Sequence, residues 1–153
     1  MINVLMVCLG NICRSPLAEG ILKSKVNNEL VYVDSAGTSS FHSGELPDRR
    51  SIQVARKYGI DITDQRSRLF KVTDFDKFDL IYVMDKSNYQ NVINLARNEQ
   101  DRVKVKLILK ENPTASLHEV PDPYYDRELG FENVYKMLDA SCEIIASNLN
   151  YVN

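Results

Sequence analysis

Cys8 and Arg14 stand six positions apart in the run Val7-Cys8-Leu9-Gly10-Asn11-Ile12-Cys13-Arg14-Ser15-Pro16, and no other pair in the chain points so directly to chemistry. A thiolate is a nucleophile. A guanidinium presents a planar fork that matches two oxygens of a tetrahedral oxyanion. The apolar stretch 2–7 runs straight into the cysteine, and Pro16 opens a pattern in which Leu17, Ala18, Ile21, Leu22 and Val26 recur on one face. These patterns predict a buried strand, a short loop and a helix. A helix start gathers unpaired N–H groups and the positive end of the dipole, so it suits an anion, and a thiol placed there has its thiolate stabilised. The loop residues Leu9, Gly10, Asn11, Ile12, Cys13 and Ser15 would then cradle a phosphate above the nucleophile.

Each residue also has a plainer reading. A cysteine that ends a core strand is common, and arginine usually sits in surface salt bridges. An arginine at a helix start opposes the dipole, however, and an anion between the two explains it better. Gly10 and Asn11 both tolerate positive φ and would let the loop curl with its N–H groups inward, or they form an ordinary turn. Ser15 either caps the helix before Pro16 or donates to the Cys8 thiolate, and the two roles can coexist.

The segment 7–16 resembles the signature loop of the low-molecular-weight protein tyrosine phosphatases, and Asp122-Pro123-Tyr124-Tyr125 resembles that family's general-acid loop. The similarity runs on through Asp34-Ser35-Ala36-Gly37-Thr38 and Met84-Asp85-Lys86-Ser87-Asn88, and so covers nearly the whole chain. Several phosphatase folds use Cys-x5-Arg-Ser; its place near the N-terminus, with a distant Asp-Pro-Tyr-Tyr, is far more specific. The resemblance implies hydrolysis of phosphotyrosine and similar aryl monoesters through a cysteinyl phosphate. Cys8 would be the nucleophile, Arg14 the phosphate clamp and Asp122 the general acid, then base. Pro123 restricts Asp122 to extended backbone, as a group held over a pocket requires, although Asp-Pro elsewhere usually means a simple turn. Phe41, Tyr124 and Tyr125 would wall a cleft deep enough to favour a phenyl phosphate over phosphoserine. Ser35 and Asp85 look like supporting polar residues, and the resemblance suggests that Asn11 hydrogen-bonds outward to hold the loop.

Cys13 lies on the same curled loop as Cys8, where a disulfide is sterically reasonable. In the resembled family such a neighbour can trap an oxidised nucleophile; the alternative is a small apolar filler. Cys142 falls on the apolar face of the last helix and is expected in the core. One departure stands out: many family members carry a histidine near Gln65, where here only a neutral amide could brace the loop.

The elements that must position these groups are legible as alternation. Strand-like runs occupy 3–7, 30–34, 80–84 and 103–109. Pro47 and Asp48 suit the first turn of a helix that turns Ile52, Ala55 and Tyr58 inward and stops at Gly59. Tyr89, Val92, Ile93 and Ala96 mark another, and Phe131, Val134, Tyr135, Leu138, Cys142, Ile145 and Leu149 a long last one. Strands alternating with helices predict an α/β fold: one domain over 1–153, three layers α/β/α, with a roughly four-stranded parallel twisted sheet and the phosphate loop after its first strand. Ligands in such sheets bind beyond the carboxyl ends of the strands, and Cys8, Ser35 and Asp85 each follow a predicted strand end.

A chain of 153 residues with a net charge of −2 carries no basic footprint for nucleic acid, and no apolar run is long enough to span a bilayer. Three cysteines and a start without a signal-peptide pattern point to the cytoplasm, with signal-less export left open. The only histidines, His42 and His118, lack metal-ligand spacing, and neither a metal nor another cofactor is expected. The expected partner is a phosphotyrosine-containing protein, and oligomeric state stays open. Two other classes compete. Thioredoxin-coupled arsenate reductases share the resembled loop but need further cysteines downstream, and none lies between Cys13 and Cys142. A non-catalytic phosphate-binding module would have no use for Cys8, Arg14 and Asp122 together.

Overall fold

Four runs that each bury Val, Leu or Ile form the strands β1 (Ile2–Cys8), β2 (Val31–Gly37), β3 (Leu80–Val83) and β4 (Val105–Leu107) of the computed structural model, which describes residues 1–124 and 128–150. All pair in parallel in the order β2-β1-β3-β4. Val7 stands opposite Ala36 on one side and Val83 on the other, so β1 runs through the middle of the sheet. A strand flanked on both edges and covered on both faces is buried on both sides, which is why β1 is apolar without alternation from Val4 to Cys8.

The helices are α1 (Arg14–Lys25), α2 (Arg49–Lys57), α3 (Asp74–Lys77), α4 (Lys86–Ile93), α5 (Glu99–Arg102) and α6 (Glu128–Asn150). Val4, Met6 and Cys8 point to one face, against Leu17 and Ile21 of α1, Ala55 of α2 and Phe131, Leu138 and Cys142 of α6. Leu5 and Val7 point to the other, against Phe75, Phe78 and Val92. This is the parallel sheet covered on both faces that the sequence predicts.

Several boundaries differ from the expectations, each for a local reason. The predicted strand 103–109 is shorter, because Ile108–Glu111 winds into a 3₁₀ turn. Asp48 is not in the first turn of α2 but caps it, accepting from the Arg50 N–H, and the chain leaves the helix through Gly59 at φ 80°. Tyr58 is not inward: it stays 41% exposed and stacks on Tyr135 with ring centroids 4.2 Å apart. Helix α4 ends at Ile93, short of Ala96. Helix α1 begins at Arg14, two residues before the proline. Ser35 lies inside β2 rather than beyond it. The four-residue helices α3 and α5 are too short to show a period.

Candidate active site

The loop between β1 and α1 is shaped by what its carbonyls bind. Thr38 N–H donates to Cys8 O (3.0 Å), Ser39 N–H to Leu9 O (2.9 Å) and Asp48 N–H to Ile12 O (2.7 Å). The Ser67 hydroxyl donates to Gly10 O (2.9 Å) and the Ser51 hydroxyl to Cys13 O (3.3 Å). In a planar trans peptide the following N–H points away from the carbonyl. Five outward carbonyls therefore turn the N–H groups of Leu9, Gly10, Asn11, Cys13 and Arg14 toward the loop's centre, a backbone nest for an anion. Cys8 Sγ lies at that centre, 3.3 Å from the Asn11 amide nitrogen.

Within this loop only Asn11 takes positive φ, at 55°, so the curl comes from it alone and not from Gly10 as well. Gly10 serves space instead, since a Cβ there would lie 3.0 Å from His42 Cδ2. Gly37 has the same role on the far side: a Cβ would come 2.8 Å from Leu9 O. That requirement left no mark in the sequence beyond the glycine itself.

The Asn11 side chain uses both ends. Nδ2 donates to Ser15 Oγ (2.7 Å) and Ser35 Oγ (3.0 Å), and Oδ1 accepts from Arg68 N–H (3.1 Å). Ser15 Oγ lies 3.0 Å from Cys8 Sγ. Because that oxygen already accepts from Asn11, its own proton is free to donate to sulfur. Ser15 caps nothing: it sits inside the first turn of α1, whose N-cap is Cys13, with no side-chain cap bond. Ser35 passes its proton to Glu19 Oε1 (2.6 Å), and Lys23 holds Oε2 (2.5 Å). Burial raises the Glu19 carboxyl above its ordinary value, against the lowering pull of Lys23 and Ser35. Gln65 donates to Pro16 O (3.0 Å), and its buried Oε1 meets no partner among the described residues. The brace for the loop comes instead from Asn11, Ser67 and Arg68, the last anchored on Asp34 and Asp74.

Arg14 is 2% exposed. Its Nη1 donates to Asp85 Oδ2 (2.7 Å) and to Val120 O (2.9 Å), and Nη2 faces Asp122 Oδ2 at 3.8 Å. Asp85 does two things at once, because its other oxygen caps α4 by accepting from Asn88 N–H (2.8 Å). The guanidinium is thus held through Nη1 by two acceptors, a carboxylate and a backbone carbonyl. Asp122 stands at the rim, its Oδ1 accepting from Tyr124 N–H (3.0 Å).

Together these groups enclose a cleft of about 330 Å³. The β1–α1 loop lines it with Cys8, Leu9, Gly10, Ile12, Cys13 and Arg14, and distant segments add Ser39, Phe41, His42, Asp122 and Tyr124. Phe41 is 84% exposed and meets His42 edge-on at 4.8 Å, while His42 lies 6.2 Å from Tyr124. Tyr125 lies outside the described residues. The sequence weighed His42 only as a metal ligand; its place in the cleft had no signal beyond adjacency to Phe41. Cys8, Cys13 and Cys142 are free and buried. Burial first, then the Asp48 carboxylate, pushes the Cys13 thiol well above the usual range. Among the described residues no three His, Cys, Asp or Glu side chains gather as a metal would require, and no helix is long and apolar enough to cross a membrane.

A family model described as low molecular weight phosphotyrosine protein phosphatase matches residues 3–152. The low molecular weight phosphotyrosine protein phosphatase of Schizosaccharomyces pombe is 38% identical, over 95% of this chain and 96% of its own. The low molecular weight protein-tyrosine-phosphatase of Streptomyces coelicolor is 37% identical, over 91% and 88%. Among solved structures, a protein tyrosine phosphatase from Entamoeba histolytica superposes with a TM-score of 0.93 at 37% identity, covering 99% of both chains.

Proposed function

Because the chain belongs to the low molecular weight phosphotyrosine protein phosphatase family and is a protein tyrosine phosphatase, we propose that it hydrolyses aryl phosphate monoesters, protein phosphotyrosine among them, through a cysteinyl phosphate on Cys8. The observation that carries this reading is the nest itself: inward N–H groups centred on Cys8 Sγ, with the buried Arg14 guanidinium beside them.

In the first step the Cys8 thiolate attacks phosphorus in line. The S–P bond forms as the bond to the aryl oxygen breaks, and Asp122 delivers its proton to the departing oxygen. The nest and Arg14 hold the equatorial oxygens, where charge concentrates in the transition state. In the second step Asp122 takes a proton from water, whose oxygen attacks phosphorus and expels Cys8. The Ser15 hydroxyl and the Asn11 N–H support sulfur as nucleophile and as leaving group. A phosphate at the floor with aromatic walls above suits a phenyl ring, and Phe41, Tyr124 and Tyr125 are the walls we assign. Cys13 is our candidate partner for a reversible disulfide with Cys8. Three cysteines fit a reducing compartment, and the cytoplasm is the location we propose.

Turnover of p-nitrophenyl phosphate in metal-free buffer tests the reaction, and Asp122→Asn tests the acid. The variant should lose about 10²–10⁴-fold on phosphotyrosine, visibly less on the activated nitrophenyl ester, and should keep its affinity for inorganic phosphate. Equal losses for both leaving groups would make Asp122 structural.

A further inference from the structure

Asp122 sits between two prolines, Pro121 and Pro123, in a loop that crosses from Val120 to Tyr124. On its N-terminal side the loop is tied to Arg14 through Val120 O, and Val120 N–H is bound to Met84 O (2.8 Å). On its C-terminal side the tie is Arg50, whose Nη2 donates to Tyr124 O (2.8 Å). We propose that Arg50 is a positioning residue that sets the general-acid loop against the phosphate loop. This rests on the reading of Asp122 as proton donor.

The route is continuous. Ile12 O in the phosphate loop accepts from Asp48 N–H (2.7 Å). The Asp48 carboxylate receives Arg50 Nε (3.1 Å) and Nη2 (3.1 Å), a bidentate grip, together with the Arg50 backbone N–H (2.8 Å). From the same guanidinium Nη2 reaches Tyr124 O, and Tyr124 N–H in turn binds Asp122 Oδ1 (3.0 Å). The guanidinium carbon also lies 4.5 Å from the Phe131 ring centroid and 5.7 Å from that of Tyr124. Each proline fixes its own φ and Pro123 biases Asp122 to extended backbone, so with both ends tied the loop has few backbone torsions left. A lysine could not hold Asp48 bidentately and reach the Tyr124 carbonyl as well. Arg50 touches no phosphate in this scheme. It acts on the step that needs a proton and leaves phosphate affinity alone.

The experiment compares Arg50→Gln, Arg50→Lys, Asp122→Asn and the Arg50→Gln/Asp122→Asn double variant. Each is assayed with phenyl phosphate and p-nitrophenyl phosphate, with inorganic phosphate as inhibitor and thermal melting to verify folding. Arg50→Gln should lower kcat on phenyl phosphate about 10- to 100-fold, the scale of a small misplacement of a catalytic group, with a much smaller loss on the nitrophenyl ester. Phosphate inhibition should not move, and the pH–rate limb that reports the acid should weaken. Arg50→Lys should show the same signature in milder form, which keeps the test valid if the glutamine variant folds poorly. In the Asp122→Asn background the Arg50→Gln change should cost nothing further. Equal losses for both esters, additivity with Asp122→Asn, or no loss at all would overturn the proposal. If Asp122→Asn itself shows no leaving-group dependence, the assignment of the acid falls and this inference falls with it. If it does and Arg50→Gln does not, only the role of Arg50 falls.

Discussion

Asn11 takes the left-handed φ that curls the loop, gives both side-chain amide protons to serines, and accepts the Arg68 N–H on its oxygen. One residue so fixes the backbone, aims the Ser15 proton at sulfur and ties the nest to the segment behind it. Cys13 shows how the same neighbourhood can oppose a function. Burial and the Asp48 carboxylate raise its thiol, so at neutral pH little of it is thiolate and attack on an oxidised Cys8 is slow. Mild peroxide should inactivate the enzyme and dithiothreitol restore it. Peptide mapping should find Cys8 joined to Cys13, at a rate that climbs with pH. Equal recovery of Cys13→Ser and parent would refute the protective role. At this scale Cys8 and Arg14 stood out by their chemistry and spacing, and Asp122 only by the resemblance that Asp-Pro-Tyr-Tyr carries; the fold brings all three to one cleft. Ser67, Arg68 and Arg50 did not stand out, because they act on backbone carbonyls and N–H groups and such partners follow no sequence pattern.

Helix α2 meets the site at its N-cap, where the Asp48 N–H grips the phosphate loop and the Asp48 carboxylate caps the helix. Burial raises the Asp48 carboxyl, but the hydrogen bonds and charge of Arg50 outweigh it and hold the group below its ordinary 3.8. A depressed carboxyl contributes stability that is present above its unfolded value and is lost as pH falls through the folded one. Asp48→Asn keeps a good cap and removes the charge. The variant should be less stable than the parent near neutral pH, by about 1 kcal/mol or less for a partly exposed pair. The gap should close as pH drops below about 4 in urea melts; a gap that persists there would mean the charge was not its cause. Elements long enough to show a period were readable, as with β1 and α6. Their ends were not: Ile108 and Leu109 are as apolar as a strand yet wind into a 3₁₀ turn, and Tyr58 is aromatic yet stays exposed on Tyr135. Propensity does not say which neighbour an edge residue will find.

Across the whole molecule, the sheet carries one apolar layer on each face, and alternation along β1 links them: Val4, Met6 and Cys8 to one, Leu5 and Val7 to the other. Phe75 and Leu138 are fully buried, one in each layer. Phe75→Ala and Leu138→Ala should each cost about 2–5 kcal/mol and leave a single unfolding transition, with nearly additive effects in the double variant because the layers do not touch at these sites. Two separate transitions would show that the layers fold independently. The layered fold was readable because buried parallel strands advertise themselves as apolar runs between helices. What was hidden was the convergence of distant segments on the loop: Thr38, Asp48, Ser67 and Val120 arrive from four places to orient one nest and one arginine. The most direct measurement is a rapid acid quench of the enzyme with an aryl phosphate, followed by mass analysis of the peptide that contains Cys8. We expect one phosphoryl group on Cys8, formed as fast as the phenol burst and absent from Cys8→Ser, which should still bind vanadate but no longer turn over. Full phenol release with no phosphoryl group on that peptide, or substantial turnover by Cys8→Ser, would contradict the covalent mechanism.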